Sequence, residues 1–484
     1  MATDPVSAVN TGLFIDGQWG PSASGKTFDV INPATEEVLA SVADGNGDDA
    51  RRAIEVAGKK QEEWGRTAPR ERSEILRRAY DLVMERADDL AAIMTAEMGK
   101  PLAEAKGEVA YGAEFLRWFS EEAVRIGGDM TLTGDGKTRI MVTHEPVGPS
   151  VLITPWNFPL AMGARKIGPA VAAGCTMVFK PAELTPLTSL ALVDIFTEAG
   201  LPAGVLNVVT TTDPGSVVEP WMASGIARKV SFTGSTPVGV KLLQQAAEHV
   251  MKSSMELGGN APFIVFDDAD LDQAVAGAMI AKMRNMGEAC TAANRLYVQS
   301  SVADEFARRL SEEMGKLAVG DGAAEGTQVG PLVERKALDK VQQFVDDAVS
   351  RGATVMCGGD RPDGKGFFYN PTVLNNVDPD SALLANEIFG PVAPIVPFDT
   401  EEQAIELANN TVWGLVGYLF TSDLERAFRV GERIEAGMIG MNTGLVSNPV
   451  APFGGVKESG LGREGGRIGI DEFLETKYYA LPRS

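Results

Sequence analysis

The stretch "VGPSVLITPWNFPLAMGARKIGPAVAAGCTMVFK", residues 147–180, decides the fold class. Short apolar runs at its two ends, 147–153 and 175–180, predict strands, and 160–174 between them predicts a helix. A strand, a helix and a second strand of these lengths indicate a βαβ unit with parallel strands and a right-handed crossover. Both runs are continuously apolar rather than alternating, which is expected of strands covered by helices on both faces.

The same alternation extends in both directions along the chain. It continues to about residue 250, so 147–250 predicts a first α/β domain. An amphipathic helix over 75–94, stopped by Gly99 and Pro101, predicts a helical region that packs on the same body. A second α/β set begins near "APFIVF", residues 261–266, and no linker separates the two sets. The sequence therefore predicts an α/β protein of at least two domains, as its length of 484 residues also favours.

The composition argues against several classes of partner. The 44 Lys and Arg residues against 66 Asp and Glu give a net charge of −22, which repels nucleic acid and anionic membranes. Three cysteines and two histidines are too few and too scattered for a disulfide framework or a metal site. The first residues carry no signal sequence, and no stretch approaches a membrane span. We therefore expect a protein of a reducing compartment, most simply the cytoplasm.

A glycine-rich turn, "FTGSTPVG" at 232–239, leads from a strand directly into a helix. Gly234 and Gly239 permit a tight turn there. The Ser235 hydroxyl and the free backbone N–H groups at the helix start would suit an anion such as a pyrophosphate. The turn is not a full G-x-G-x-x-G, so an ordinary strand–helix connection is the simpler explanation of this stretch taken alone.

Polar side chains also follow two other predicted strands of the same sheet. Lys180 and Glu183 in "FKPAELTP" could donate to and accept from ribose hydroxyls, because ligands bind at the carboxyl ends of parallel strands. A solvated lysine and glutamate in a loop explain the pattern equally well. Asn157 in "TPWNFP" is an amide donor held between two prolines, or a simple turn residue.

Cys290 lies in "MGEACTAANR", residues 286–295, among small side chains rather than the large apolar ones that usually surround a structural cysteine. A thiol placed there is open to a substrate, and its thiolate is a nucleophile. Glu256 in "MELGGN" precedes two glycines, which let its carboxylate move and let backbone approach closely. Taken alone, a glutamate is more often a surface charge and a free cysteine a small core hydrophobe.

Together these stretches resemble the NAD(P)-dependent aldehyde dehydrogenase superfamily. Seven motifs follow the family's order between residues 155 and 466: "PWNFP", "KPAE", "FTGST", "MELGGN", "GEACTAANR", "EIFGP" and "PFGGVKESGLGREGG". The resemblance implies an α/β fold with a Rossmann-type parallel-sheet cofactor domain, a second α/β catalytic domain and a small β oligomerisation element. The implied divisions are 1–128 and 147–255 for the NAD-binding domain, 256–445 for the catalytic domain, 129–146 and 468–484 for the oligomerisation element, and 446–467 for a return to the NAD-binding domain and the substrate funnel.

The resemblance also implies roles for individual residues. Cys290 attacks the aldehyde to form a thiohemiacetal, whose oxyanion is held by the Asn157 amide and the Cys290 backbone N–H. Hydride transfer leaves a thioester, and Glu256 activates the water that hydrolyses it. The residues implied to bind the cofactor are Thr154, Trp156, Lys180, Glu183, Gly234, Ser235, Gly239, Glu387 and Phe389. A carboxylate at position 183 accepts from a free 2′-hydroxyl but repels a 2′-phosphate, so we predict NAD rather than NADP.

Three stretches, "GARKIGPA", "KMRNMGEAC" and "GLVSNPVAPFGGVKESGLGREGG", most resemble the succinate-semialdehyde dehydrogenases within the superfamily. The resemblance implies oxidation of succinate semialdehyde to succinate. In those enzymes two arginines and a serine grip the substrate carboxylate, and the matching residues here are Arg165, Arg284 and Ser447. A chain of net charge −22 needs such a local clamp for an anion, and guanidinium pairs its donors with a carboxylate. Alternatively, both arginines form structural ion pairs.

One departure from that subgroup widens the choice of substrate. Ala292 stands where many of these enzymes carry a second cysteine, so no redox switch with Cys290 is expected. Glutarate semialdehyde and neutral aliphatic aldehydes therefore stay open as substrates.

Two alternatives concern the reaction itself, and one expectation concerns assembly. A relative that lost catalysis and serves as a structural or binding protein would keep the fold, but the thiol, the base and the amide donor are all present. A CoA-acylating enzyme would pass the acyl group to CoA, whereas Glu256 argues for water. The segments 131–146 and 470–482 resemble a projecting hairpin and a strand that pairs with a neighbour's sheet, which implies a homodimer or homotetramer.

Overall fold

The computed structural model describes residues 4–483. Its α-helices are α1 (Gly47–Gly65), α2 (Pro69–Glu85), α3 (Ala87–Met98), α4 (Leu102–Glu122), α5 (Pro159–Ala173), α6 (Pro186–Glu198), α7 (Pro214–Ala223), α8 (Thr236–Ala247), α9 (Leu271–Met283), α10 (Ser300–Met314), α11 (Arg335–Ser350), α12 (Ala382–Ala385), α13 (Glu401–Asn409) and α14 (Leu424–Gly431). Its strands are β1 (Leu13–Ile15), β2 (Gln18–Gly20), β3 (Thr27–Ile31), β4 (Val38–Ala43), β5 (Asp129–Leu132), β6 (Thr138–Pro146), β7 (Ser150–Ile153), β8 (Met177–Lys180), β9 (Leu206–Val208), β10 (Lys229–Thr233), β11 (Lys252–Glu256), β12 (Ala261–Val265), β13 (Ala293–Gln299), β14 (Thr354–Cys357), β15 (Thr372–Asn375), β16 (Val392–Phe398), β17 (Trp413–Gly414), β18 (Val416–Phe420), β19 (Met438–Met441), β20 (Val456–Lys457), β21 (Gly460–Leu461) and β22 (Leu474–Pro482).

The first large sheet has the strand order β2-β1-β9-β8-β7-β10-β11-β21. Its five central strands, from β9 to β11, are parallel, while β1 and β21 pair antiparallel at the two sides. This confirms the Rossmann-type parallel sheet, with antiparallel strands added at both edges. The strand order reverses between β7 and β10, so the loops that follow these two strands open a crevice at their carboxyl ends.

The helical region before this sheet differs from the prediction. A single helix over 75–94 is wrong, because the structure breaks it into α2 and α3 at Arg86, whose φ of −102° and ψ of 21° are not helical. Asp88 and Asp89 then stand in the first turn of α3, where negative charge favours a helix start. Gly99 does end α3, in the left-handed conformation with φ 94°.

Helices α2 to α4 pack against α5, α6 and the first sheet in one apolar core that includes the fully buried Leu76, Leu116 and Phe179. Burying each such side chain stabilises the fold by about 1.5–3 kcal/mol. Glu108 of α4 also accepts the backbone N–H groups of Leu160 and Ala161, at 3.0 and 3.1 Å. The helical layer therefore caps the start of α5, the helix that follows the "PWNFP" loop.

The second large sheet has the order β14-β15-β16-β13-β12-β18-β19, with six parallel strands and β14 antiparallel at one edge. Its core includes the buried Phe263, Leu296 and Ile395. The loop that carries Cys290 joins α9 to β13 of this sheet. None of the helices in the described range combines the length and apolar composition needed to cross a membrane.

A third sheet of three strands projects from the body in the order β22-β6-β5. The predicted hairpin over 131–146 is present as β5 and β6, and β22 pairs with β6 from Leu474 to Pro482. The segment before β22 returns to the first sheet, where β21 pairs with the end of β11 and places Gly460 opposite Glu256. The N-terminal strands β1 to β4 are found in the structure, although no sequence pattern predicted them.

Candidate active site

The crevice between β7 and β10 opens into a cleft of about 230 Å³. One wall is formed by the loops after these strands, residues 155–158 and 233–235. The opposite wall comes from the second α/β set, which contributes Cys290, Glu387 and Ser447 from three separate segments. A concave site between two α/β units, at the point where the strand order reverses, is where a small molecule binds most favourably.

Cys290 is half-buried, and its sulfur is a free thiol. Burial raises the pKa of this thiol to about 12, although the positive charges of Arg165 and Arg284 oppose the shift. The thiol is therefore protonated at neutral pH and needs a base, or an added positive charge, to become a nucleophile. The neighbouring backbone is close: a Cβ atom on Gly259 would stand 2.4 Å from the Cys290 carbonyl oxygen.

Two hydrogen-bond donors face the region of the thiol. Asn157 lines the cleft, and its Nδ2 donates one hydrogen to the Glu288 carbonyl at 3.0 Å, which leaves its second hydrogen free. Within residues 4–483 the backbone N–H of Cys290 has no acceptor. The pair has the composition of an oxyanion-binding site, two donors that can converge on one oxygen.

Glu256 ends β11 but does not line the cleft in this conformation. Its side chain is buried, and neither carboxylate oxygen has a hydrogen-bond partner in the described part of the chain. The carboxylate faces Gly454, where a Cβ atom would stand 2.8 Å from Oε1. Burial, together with the negative charge of Glu464, raises the pKa of Glu256 well above its usual value. The raised pKa favours the protonated form in this position, and the side chain must turn into the cleft to act as a base.

A buried ion cluster lies beside Glu256. The Glu464 carboxylate is 2.5 Å from Arg165 Nε and 2.5 Å from Lys166 Nζ. These two cations hold the pKa of Glu464 below its usual value despite its burial. Arg165 Nη2 has no hydrogen-bond partner among the described residues. The alternative of a structural ion pair therefore accounts for one side of the Arg165 guanidinium and leaves a donor unused.

Arg165, Arg284 and Ser447 all line the same cleft as Cys290. Arg284 is half-buried, and its guanidinium lies over the rings of Tyr111 and Phe158, at 5.4 and 5.0 Å from their centroids. In residues 4–483 it makes no ion pair, so the structural-ion-pair alternative fails for Arg284. The cleft thus brings together a thiol, two guanidinium groups and a hydroxyl.

The other predicted cofactor residues that line the cleft come from both of its walls. Trp156 and Phe389 pack edge to face, with ring centroids 5.4 Å apart. Glu387 accepts the Gly259 N–H at 3.3 Å, and burial raises its pKa to about 7. Ser235 stands at the N-cap of α8 without a capping bond from its side chain, so the first N–H groups of the helix are available to an anion.

Gly234 also lines the cleft, but its own N–H donates to the Glu256 carbonyl at 3.0 Å. Gly239 lies one turn inside α8, where its N–H bonds to the Ser235 carbonyl and a Cβ atom would stand 2.4 Å from Leu257. The structure therefore places Gly239 at a packing contact, away from the open end of the helix. A glycine fits this position because any larger side chain would clash with Leu257.

Thr154, Lys180 and Glu183 lie outside the cleft, at the carboxyl ends of β7 and β8. Lys180 Nζ is 3.2 Å from Glu183 Oε2. The residues around the crevice thus fit a dinucleotide: a helix N-terminus for its phosphates, a Lys–Glu pair for one ribose and Glu387 with an aromatic pair for the other end.

The structure adds cleft residues that the sequence reasoning missed. Phe158 and Phe453 stand inside the quoted motifs "PWNFP" and "PFGGVKESGLGREGG", so the signal was present without an assigned role. Tyr111 and Lys340 have no motif around them, and only the fold brings them to the cleft. Glu464 was part of the last motif but was not recognised as the partner of Arg165.

The aldehyde dehydrogenase family profile matches residues 19–479, and the chain belongs to this family. It is an NAD(P)-dependent aldehyde dehydrogenase, so the alternative of a catalytically silent relative is set aside. A succinate-semialdehyde dehydrogenase of Paenarthrobacter nicotinovorans is 58% identical over 444 residues, which cover 92% of this chain and 99% of that protein. A glutarate-semialdehyde dehydrogenase of Pseudomonas putida is 51% identical over 468 residues, 97% of each chain.

A solved structure supports the same assignment of the fold. The crystal structure of an NADP-dependent enzyme of Escherichia coli superposes with a TM-score of 0.97, at 48% identity and with 98% of each chain covered. The expected fold class, two α/β units with a small β element, is thereby confirmed.

Proposed function

We propose that the protein oxidises succinate semialdehyde to succinate with NAD as the hydride acceptor. The observation that carries this proposal is the pair of guanidinium groups beside the thiol. Arg284 has no ion-pair partner in residues 4–483, and Arg165 keeps an unused buried donor. Buried donors without acceptors cost free energy, and a substrate carboxylate would satisfy them. The substrate named for the Paenarthrobacter nicotinovorans relative carries such a carboxylate.

The chemistry follows from the residues around Cys290. Its sulfur bonds to the aldehyde carbon, the thiol proton leaves to a base or to water, and the oxyanion accepts from Asn157 Nδ2 and the Cys290 N–H. A bound nicotinamide would supply the acceptor for the hydride that leaves this carbon, so that a thioester remains on the Cys290 sulfur. Glu256, turned into the cleft, then takes a proton from the water that attacks the thioester. The carbon–sulfur bond breaks, the carboxylate product leaves and the thiol is restored.

A longer ω-carboxylated aldehyde, glutarate semialdehyde, is the second candidate substrate. The Pseudomonas putida relative carries that name at 51% identity, against 58% for the Paenarthrobacter nicotinovorans relative. The two substrates differ by one methylene, and a pocket discriminates one methylene by about 1–3 kcal/mol. A neutral aliphatic aldehyde would use the apolar part of the cleft, Phe158, Met162 and Phe453. It would leave Arg284 without an ion-pair partner and Arg165 Nη2 without an acceptor among the described residues.

The preference for NAD over NADP rests on Glu183. Its carboxylate, 3.2 Å from Lys180, can accept from a 2′-hydroxyl and repels a 2′-phosphate. The Escherichia coli structure is described as NADP-dependent, so the family accommodates both cofactors and the choice has to be made by local residues.

Assembly as a homodimer or homotetramer is part of the same proposal. The three-stranded sheet exposes Met130 and Tyr478, at 76% and 67% of their surfaces, together with the exposed Leu132 and Leu481. β22 is an edge strand within the described residues, and its unpaired backbone groups can accept a second copy. Sedimentation velocity measures the mass directly, and a monomer at all concentrations contradicts this assembly.

The proposal is tested with a substrate panel on the purified protein. The steady-state rate of reduced-cofactor formation is measured with succinate semialdehyde, glutarate semialdehyde and butanal, each with NAD and with NADP. We expect the highest kcat/KM for succinate semialdehyde with NAD, and no turnover by Cys290→Ala. A higher kcat/KM for butanal than for succinate semialdehyde contradicts the proposed substrate. Formation of acyl-CoA in the presence of CoA contradicts hydrolysis of the thioester by water.

A further inference from the structure

The side chain of Asn285 forms a bridge behind the oxyanion donors. It is completely buried, and its Nδ2 donates to the carbonyl oxygens of Asn157 and Glu288, at 3.0 and 2.9 Å. Both partners are carbonyls, which only accept, so the nitrogen must face them. Both amide hydrogens of Asn285 are therefore used in holding two segments of backbone together.

These bonds close a ring. Asn157 Nδ2 donates to the Glu288 carbonyl, which also accepts a hydrogen bond from Asn285 Nδ2. The Asn157 side chain directly, and its backbone through Asn285, are therefore held to one oxygen of the loop that carries Cys290. Lys100 Nζ supplies the second donor to the Asn157 carbonyl at 2.8 Å. Each of the two carbonyl oxygens thus accepts two hydrogen bonds, which fills its capacity.

The backbone at Asn285 is held in an unusual conformation. Asn285 and Met286 both have φ of 55°, and Gly287 follows at 78°, so three successive residues lie in the left-handed region. Met286 has no intrinsic preference for that region, and such strain persists only when its surroundings impose it. Glu104 Oε2 accepts the Asn285 N–H at 2.6 Å and helps to impose it. The left-handed turn is what directs the Asn285 amide back toward Asn157.

We propose that Asn285 is a positioning residue that sets the spacing between the two oxyanion donors, Asn157 Nδ2 and the Cys290 N–H. This rests on the proposed function, because it uses the roles assigned there to Asn157 and Cys290. Asn285 does not touch the substrate. It fixes the Asn157 amide relative to the Glu288 carbonyl, two residues before the nucleophile, so that both donors meet the oxygen that becomes charged.

The spacing matters because oxyanion donors act only when they stand about 2.7–3.1 Å from the charged oxygen. A misplacement of about 1 Å costs about 100-fold in rate. The loss falls on the step that develops the charge, so kcat falls, while binding of the dinucleotide, which Asn285 does not contact, is unchanged. A residue needed only for folding would lower stability and cofactor binding together.

The primary variant is Asn285→Gly, because glycine accepts the left-handed backbone and removes only the bridging amide. Its matched control is Asn207→Ala. Asn207 is also completely buried and also donates from Nδ2 to two carbonyls, those of Met177 and Gly204, but it lies in β9 away from the cleft. A second variant, Asn285→Asp, keeps the shape and removes both donors.

We expect kcat to fall about 100-fold in Asn285→Gly and in Asn285→Asp, with an unchanged dissociation constant for NAD. The control, Asn207→Ala, is expected to keep the wild-type kcat even if its thermal midpoint falls as far as that of Asn285→Gly. Wild-type kcat in Asn285→Gly overturns the inference, as does a parallel loss of kcat, NAD affinity and thermal midpoint in both asparagine variants.

A double mutant separates positioning from any independent effect. If Asn285 acts through Asn157, then Asn157→Ala with Asn285→Gly is no slower than Asn157→Ala alone. If the losses in kcat of the two single variants combine fully in the double variant, the inference is overturned. Activity of Cys290→Ala is measured first in the same assay: wild-type turnover there overturns the proposed function itself, whereas an inactive Cys290→Ala beside a fully active Asn285→Gly overturns only the role of Asn285.

Discussion

Replacing Arg284 by alanine tests the carboxylate clamp most directly. Arg284 makes no ion pair in residues 4–483, so its removal strips no other charged group of its partner. Arg165 is a poorer choice, because its loss would also leave the buried Glu464 with one cation fewer. A loss on an anionic substrate beyond the loss on a neutral one is therefore the loss of the contact with its carboxylate.

The expected magnitude follows from the burial of the guanidinium. Truncating one partner of a buried, hydrogen-bonded charge pair costs about 2–5 kcal/mol. Arg284 is half-buried, so we take the lower end, about 2 kcal/mol, which is a loss of about 30-fold in kcat/KM. For a neutral aldehyde the variant loses only the contact with the rings of Tyr111 and Phe158, about 0.5–1 kcal/mol.

The assay compares succinate semialdehyde with butanal, which has the same carbon chain and no carboxylate. The kcat/KM of each is measured for the wild type and Arg284→Ala from initial rates of reduced-cofactor formation. Arg117→Ala is the control, because Arg117 also lies over an aromatic ring, that of Tyr80 at 5.6 Å, but outside the cleft. Equal losses on the two substrates would refute the clamp.

Three further predictions concern the cofactor, the thiol and the fold. Glu183→Ser should raise kcat/KM for NADP relative to NAD, because it removes the negative charge that faces a 2′-phosphate; an unchanged ratio contradicts the role of Glu183. Because the pKa of Cys290 is raised to about 12, its reactive fraction grows with pH, so alkylation of the free enzyme by iodoacetamide should accelerate steadily from neutral pH upward. A plateau near neutral pH would show a thiolate already formed. Lys100→Met should lower the free energy of unfolding by about 3–5 kcal/mol, because it leaves Glu108 buried without its cation. Lys106→Met, which breaks an exposed pair with Asp88, should change it by less than about 1 kcal/mol, and equal effects in denaturant titrations would contradict the distinction.

Much of the fold could be predicted because its local patterns agree with its global order. Apolar runs alternating with helical segments predicted the parallel sheet, and the motifs stand at strand ends, where parallel strands place their loops together. The helix over 75–94 was predicted as continuous because periodicity alone does not register a break of one residue at Arg86. The short strands β1 to β4 have only three to six residues each, too few to establish a period.

The candidate site, like the fold, could be predicted from the sequence only in part. Sequence motifs predicted many of the residues that line the cleft, but not the raised pKa of Glu256, which depends on its burial and on the charge of Glu464. Lys100 lies in no motif, and Asn285 lies in "KMRNMGEAC" without an assigned role. Their partner Asn157 is 57 and 128 residues away along the chain. Buried polar groups are paired through the fold rather than along the chain, so their partners become visible only in three dimensions.

Glu464 and Lys166, which form a buried ion pair, are 298 residues apart along the chain, so they are synthesised at different times. A ribosome makes Arg165 and Lys166 long before the carboxylate that neutralises them. Burying two cations without that counter-ion costs several kcal/mol, so we expect α5 to pack fully only after Glu464 has been synthesised. Nascent chains that already carry the reactive sulfur are therefore expected to be inert toward aldehydes until this late glutamate has emerged.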